Sequence, residues 1–311
     1  MEEVTEYSTD IPVQPVKTGW INPFGVSVSI LRADLVDAEI SGNKYFKLLP
    51  NLQAARSGAY STLLSFGGYW SNHLHALAAA GHRFGFNTVG IIRGEEPACL
   101  NPCLTEARAW GMELEFVSRA RYRRRNDPDY QEYLAGRYSN CMVIPEGGAN
   151  FHGIQGCQKL VTAGIEGDFS HLLLACGTGT TLCGLITATS MPVTGIQALK
   201  GKGYLQDAVE GLLAQHSLPV TSAKWEVLDD FHRGGFAKAD KQLLSFINDF
   251  HAETGIPLEP VYSGKLFMAL QSLLESGYYP EGSRVLVIHG GGLQGLRGWE
   301  RGSDYSDSSE R

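Results

Sequence analysis

Short apolar runs that enter a glycine turn and leave it as a helix recur along this chain, and no other feature restricts its fold so tightly. Ser170–Thr189, SHLLLACGTGTTLCGLITAT, reads as strand, glycine loop and helix, and Tyr60–Ala78, YSTLLSFGGYWSNHLHALA, repeats the pattern with a Ser-Asn cap. Further strands are expected at NTVGIIRG, MELEFVS, CMVIP, MPVTGIQAL and SRVLVIHGGG, with helices at NPCLTEARAWG, DKQLLSFINDFHAET and LFMALQSLLESG. Uninterrupted apolar strands alternating with helices predict an α/β fold, with parallel sheets covered by helices on both faces. The chain has 311 residues, enough for one large unit or two packed lobes.

Composition narrows the function. A net charge of -7 argues against broad nucleic-acid or membrane-surface binding. The basic run RARYRRRNDPDYQEY ends in acids and reads as a solvated surface segment with internal ion pairs. No apolar run reaches the roughly 18 residues of a membrane span. The N-terminal MEEVTEYSTDIPVQP lacks the apolar core of a signal peptide, so a cytoplasmic protein is expected. Six cysteines show neither CxxC pairs nor zinc-like spacing, which predicts buried free thiols and no metal site. The polar tail SDYSDSSER is expected to fray.

Three motifs carry chemistry. Gly177, Thr178, Gly179, Thr180 and Thr181 bring backbone N–H groups, hydroxyls and the positive end of a helix to one spot, a nest suited to phosphate. The loop has neither the Gly-Lys-Ser/Thr of a nucleotide P-loop nor a third dinucleotide-type glycine, since Leu182 stands there. A nucleotide-binding protein therefore ranks below other phosphate ligands. Ser71 and Asn72 cap the helix after SFGG, and the same cap can hold a carboxylate. In SGNKYFKLLPNLQAA, Lys44 follows a Gly-Asn turn and Lys47 lies one helical turn on; an amine placed at such a bend suits imine formation with a carbonyl cofactor. Lys47 is expected on the helix face as a supporting cation.

In this order, the three motifs resemble the pyridoxal-phosphate enzymes of the tryptophan-synthase β-like fold (fold type II). Within that fold the chain is similar to the group of 1-aminocyclopropane-1-carboxylate deaminase and D-cysteine desulfhydrase. IPEGGANFHGIQG, EPVYSGK and SRVLVIHGGG extend the likeness from about Pro23 to about Gly298. The resemblance implies two lobes, a large cofactor-binding one (residues 1–47 and 153–311) and a smaller inserted one (residues 48–152), with the site between them. It implies pyridoxal 5'-phosphate, a small amino-acid substrate and a homodimer.

Carried over residue by residue, Lys44 matches the imine-forming lysine and Asn72 the asparagine beside the cofactor's 3'-oxygen. Ser71 matches the serine near the substrate, Gly177–Thr181 the phosphate cup, and Tyr262 the tyrosine near the reacting carbon. His73 matches the desulfhydrase side of the group, where the deaminase has glutamine. The chain departs from the family at Phe46 (usually arginine), Phe236 (a second active-site tyrosine), Gly290 (a threonine in desulfhydrases) and Ser263, where the deaminase has a glutamate facing the pyridine nitrogen. A serine hydroxyl can hydrogen-bond a neutral nitrogen without holding it protonated, so the ring becomes a weaker electron sink. That favours β-elimination to pyruvate and ammonia over cyclopropane opening. A carrier or sensor of the cofactor without turnover is the reading from another class, motivated by Phe236 and Ser263.

Overall fold

The computed structural model describes residues 11–161, 165, 168–235 and 238–297; Phe236 and the polar C-terminal tail lie outside them. The chain opens on two strands, Val13–Val16 (β1) and Ser27–Leu31 (β2). Helix α1, Asn43–Ser57, leads to Thr62–Gly67 (β3), Asn72–Phe84 (α2), Asn87–Arg93 (β4) and Pro102–Ala109 (α3). Met112–Val117 (β5), Arg119–Tyr122 (α4), Pro128–Ala135 (α5) and Cys141–Val143 (β6) follow. Helix α6, Phe151–Gln158, is succeeded by His171–Cys176 (β7), Thr180–Ile186 (α7), Val193–Gln197 (β8) and Tyr204–Gln215 (α8). Trp225–Leu228 (β9), Lys241–Thr254 (α9), Ser263–Glu275 (α10) and Arg284–Ile288 (β10) complete the described elements.

These strands form two sheets. One has six strands in the order β1-β2-β10-β7-β8-β9 and the other four in the order β5-β4-β3-β6. Every pairing is parallel except β1 with β2. Pro15, which has no N–H to give a ladder, is tolerated because β1 is an edge strand.

The six-stranded sheet is buried on both faces, as its unbroken apolar strands require. Leu172 and Leu174 join a core with Ile154, Leu182 and Ile186 of α6 and α7, while Leu173 between them joins Leu243, Phe250 and Phe267 of α9 and α10 on the opposite face. Leu286 and Val287 divide in the same way. In the smaller sheet Leu63 packs beneath α2, whereas Leu64 and Phe66 face Tyr122, Tyr130 and Leu134 of α4 and α5. Each such side chain contributes about 1.5–3 kcal/mol by leaving water.

The basic run is a surface segment as expected, with Arg124 paired to Asp127 at 2.9 Å and Arg125 to Glu146. All six cysteines are free thiols, four of them buried. No described helix is long and apolar enough to cross a membrane. The lobe boundaries proposed at 47/48 and 152/153 fall within α1 and α6, the two helices that connect the sheets.

Candidate active site

Three glycine turns lie at the carboxyl ends of β3, β7 and β10, the edge of an α/β sheet where ligands are held. Their contacts bring the predicted residues together. Gly42, at φ +67°, precedes α1 and lies so close to the Gly290 carbonyl that any Cβ would overlap it. That approach lets Asn43 N donate to Gly290 O at 3.1 Å and fixes the start of α1. Gly292 packs on the Asn72 amide, Gly147 on Thr178, and Gly148 on Lys47 and His73. A Cβ on Gly177 would stand 3.2 Å from the Tyr262 hydroxyl.

The Gly177–Thr181 loop leaves a helix N-terminus open. Gly179, at φ +81°, is the N-cap of α7 and supplies no side-chain cap, so the first N–H groups of that helix remain for a ligand. Thr178 and Thr180 face each other with their hydroxyl oxygens 3.0 Å apart. Thr180 and Thr181 are buried.

Both lysines are perturbed. Lys44 is half-buried, and its Nζ donates to Asn43 Oδ1 at 2.6 Å. Burial first, and then the charge of Lys47, lower its pKa to about 7. Lys47 is not a solvated helix-face cation: it is only 4% exposed, its pKa is lowered by burial, and no described residue gives it an ion pair. The reason is packing, since its stem lies under Gly148 and its surroundings include Cys157, Cys176 and Cys183.

Ser71 Oγ caps α2 by accepting from Leu74 N at 3.2 Å, and the buried Asn72 Oδ1 has no hydrogen-bond partner. His73 has a defined tautomer. Ser65 Oγ donates its one hydrogen to Ile144 O at 2.7 Å, so it must accept from His73 Nε2 at 2.9 Å. Nδ1 then carries a lone pair, which is buried and unpartnered. Burial, reinforced by the charges of Lys44 and Lys47, lowers the ring's pKa to about 3 and keeps it neutral.

Glu259 opens the EPVYSGK match, but the sequence assigned it no role. It is buried at 1% exposure and accepts from Val261 N, Tyr262 N and Ser263 N at 2.7, 2.8 and 2.6 Å. Burial raises its pKa, and these donors oppose that rise. The carboxylate thereby fixes the turn that presents Tyr262. It also engages Ser263, whose Oγ lies 3.2 Å from Glu259 Oε1 and accepts from Glu259 N at 2.8 Å. The Ser263 hydroxyl is thus turned into its own turn. Burial also raises the pKa of Tyr262, so its hydroxyl keeps its proton. At Gly290 a Cβ would meet nothing closer than Asn43 at 3.7 Å, so the space is open. His289 donates from Nε2 to Pro257 O at 2.8 Å and accepts from Gly291 N at 3.2 Å; it is satisfied structurally.

The residues present fit the cofactor that the resemblance implies. The half-buried Lys44 and the buried Lys47 repel one another beside a threonine-lined helix N-terminus, and a buried cation without a counter-ion is costly. A phosphate dianion supplies that missing charge.

Comparison with known proteins agrees. The family model described as pyridoxal-phosphate dependent enzyme matches residues 36–291. The bifunctional D-cysteine desulfhydrase/1-aminocyclopropane-1-carboxylate deaminase, mitochondrial, of Arabidopsis thaliana is 28% identical over 298 residues, covering 88% of this chain and 74% of its own length. D-cysteine desulfhydrase of Yersinia enterocolitica is 27% identical over 293 residues and 88% of each chain. The crystal structure of an ACC deaminase homologue superposes with a TM-score of 0.80 at 26% identity, over 94% of this chain and 92% of the other.

Proposed function

This chain belongs to the family of pyridoxal-phosphate-dependent enzymes, and on that premise we propose that it is a lyase of the D-cysteine desulfhydrase type. Its substrate is a small amino acid with a leaving group on the β-carbon, and its products are pyruvate and ammonia. When bound, pyridoxal 5'-phosphate supplies the electron sink for the α-carbon. The observation that carries the proposal is the Lys44 amine, whose pKa is lowered to about 7 and which is joined through Asn43 to the threonine loop.

The roles are carried over from the resemblance, and the geometry supports them. Lys44 carries the cofactor and, once released, takes the α-proton, help typically worth about 10²–10⁴-fold from a base poised near neutrality. Ser71, Asn72 and the N-terminus of α2 hold the substrate carboxylate. Tyr262, still protonated, lies beside Gly177 and gives a proton to the leaving group at the β-carbon. His73, neutral and with an unpartnered Nδ1, is the residue that by resemblance would contact the substrate. By resemblance Ser263 would face the pyridine nitrogen, and its hydroxyl is already engaged by Glu259. The subunits pair as homodimers in the cytoplasm.

Opening of 1-aminocyclopropane-1-carboxylate is the second reading, since the Arabidopsis relative is named for both activities. A pyruvate assay across D-cysteine, β-chloro-D-alanine, L- and D-serine and 1-aminocyclopropane-1-carboxylate separates the two. Pyruvate from the β-substituted D-amino acids is expected. Release from the cyclopropane alone would overturn the proposal, and spectral changes without product on every substrate would make the protein a cofactor carrier.

A further inference from the structure

Asn43 joins the two ends of the site. Its Nδ2 donates to Thr181 Oγ1 at 2.9 Å, across 138 residues of sequence, and its Oδ1 accepts from Lys44 Nζ at 2.6 Å. The amide is placed with Oδ1 toward the Lys44 amine and Nδ2 toward Thr181, the orientation that suits a protonated lysine, which offers donors alone. The Gly290 carbonyl fixes the Asn43 backbone, and the side chain is anchored at two further points.

This arrangement also dictates the direction of the Thr181 hydroxyl. Its oxygen accepts from Asn43 Nδ2 at 2.9 Å and from Cys157 Sγ at 3.8 Å. A hydroxyl that accepts from Asn43 keeps its one hydrogen to donate elsewhere. An acceptor-only anion in the nest is the ligand such a hydroxyl suits.

We propose that Asn43 is a positioning residue that couples the phosphate-binding loop to the amine of Lys44. Its Nδ2 turns the Thr181 hydrogen toward the cofactor's phosphate, and its Oδ1 holds the Lys44 amine when that amine is not bound to cofactor. The inference deepens the cofactor reading and rests on it. The groups facing Lys44 are Lys47 on its own helix, His73 on α2, Cys157 on α6 and Glu259 before α10, and Asn43 Oδ1 is the acceptor to which its amine donates, at 2.6 Å.

The test compares Asn43→Ala, Asn43→Asp and Thr181→Val with the unaltered protein, all stripped of cofactor. The rate at which Lys44 captures pyridoxal, which lacks the phosphate, is followed in the visible spectrum against pH, with and without inorganic phosphate. Retention of pyridoxal 5'-phosphate is measured separately. In the unaltered protein, phosphate should change the capture rate through Asn43. Asn43→Ala should lose that dependence and hold pyridoxal 5'-phosphate about tenfold less tightly, as loss of a buried hydrogen bond to a charged group implies.

Asn43→Asp should raise the pH midpoint of capture, because a carboxylate beside Lys44 holds it protonated. Thr181→Val should weaken retention and leave the midpoint where it was, which a merely destabilised loop would not do. Retention and midpoint unchanged in Asn43→Ala and Asn43→Asp would overturn the coupling alone. Failure of the unaltered protein to gain a visible band with pyridoxal 5'-phosphate would instead overturn the cofactor reading.

Discussion

The two strand–turn–helix units at the site look alike in sequence and differ in what they leave open. After β3, the cap of α2 is closed by its own side chain, with Ser71 Oγ accepting from Leu74 N. After β7, the cap of α7 is Gly179, which leaves the first N–H groups uncapped beside three threonines and near two cations. A self-capped terminus can hold a ligand that comes and goes. An uncapped one, flanked by unpaired positive charge, requires a resident anion. The first suits the substrate carboxylate and the second the cofactor phosphate.

The strongest attempt to break this contrast is Lys44→Ala. It should abolish the visible absorbance of the loaded protein and lower turnover by at least the ~10²–10⁴-fold expected of a lost general base. Lys47→Met comes next and should act in opposite directions on the two states. Cofactor retention should fall, while the cofactor-free protein should melt at a higher temperature, because a buried unpaired charge costs on the order of several kcal/mol even after relaxation. A lower melting temperature would mean that Lys47 has a counter-ion.

Ser71→Ala strikes the other turn. It should cost the fold about 1 kcal/mol as a lost N-cap and raise KM, yet leave the absorbance intact. If the absorbance vanished, the two turns would not divide the work as described. The smallest effect is on pH. The pKa of Lys44 is lowered to about 7 and that of Lys47 is also lowered, so the unfolded chain binds more protons than the folded one above neutrality. Stability of the cofactor-free protein should therefore rise from about pH 7 toward pH 9. Higher still, the thiols of Cys176 and Cys183, both pushed up to about 12 by burial, act the other way.

Much of the scaffold and of the site was legible because its signals are local. The apolar runs of β3, β4, β7 and β10 stand between turn residues, and the Ser-Asn and Gly-Thr caps sit next to the helices they start. Signals that exist only after folding were not. Strand β1 is four residues with a proline, and β2 pairs with β10 across the whole chain. Lys47 is buried by Gly148, about a hundred residues away, and Asn43 meets Thr181 at a still greater remove. Glu259 resembles any loop acid until Val261, Tyr262 and Ser263 fold back on it.

The chain passes from the larger sheet to the smaller through α1 and returns by way of α6, and the two helices pack side by side. Gly156 of α6 lies against the Phe46 carbonyl, where any Cβ would overlap it. Two crossings locked together at so short a distance form an axle. A rotation of the smaller sheet about it would swing Ser71 and Asn72, on an arm, toward or away from the gap. Lys44 stands two residues from that contact, on the axle itself, where the arc of any such swing is shortest. Lys44 thus sits where such a motion would displace it least, and Ser71 and Asn72 where it would displace them most.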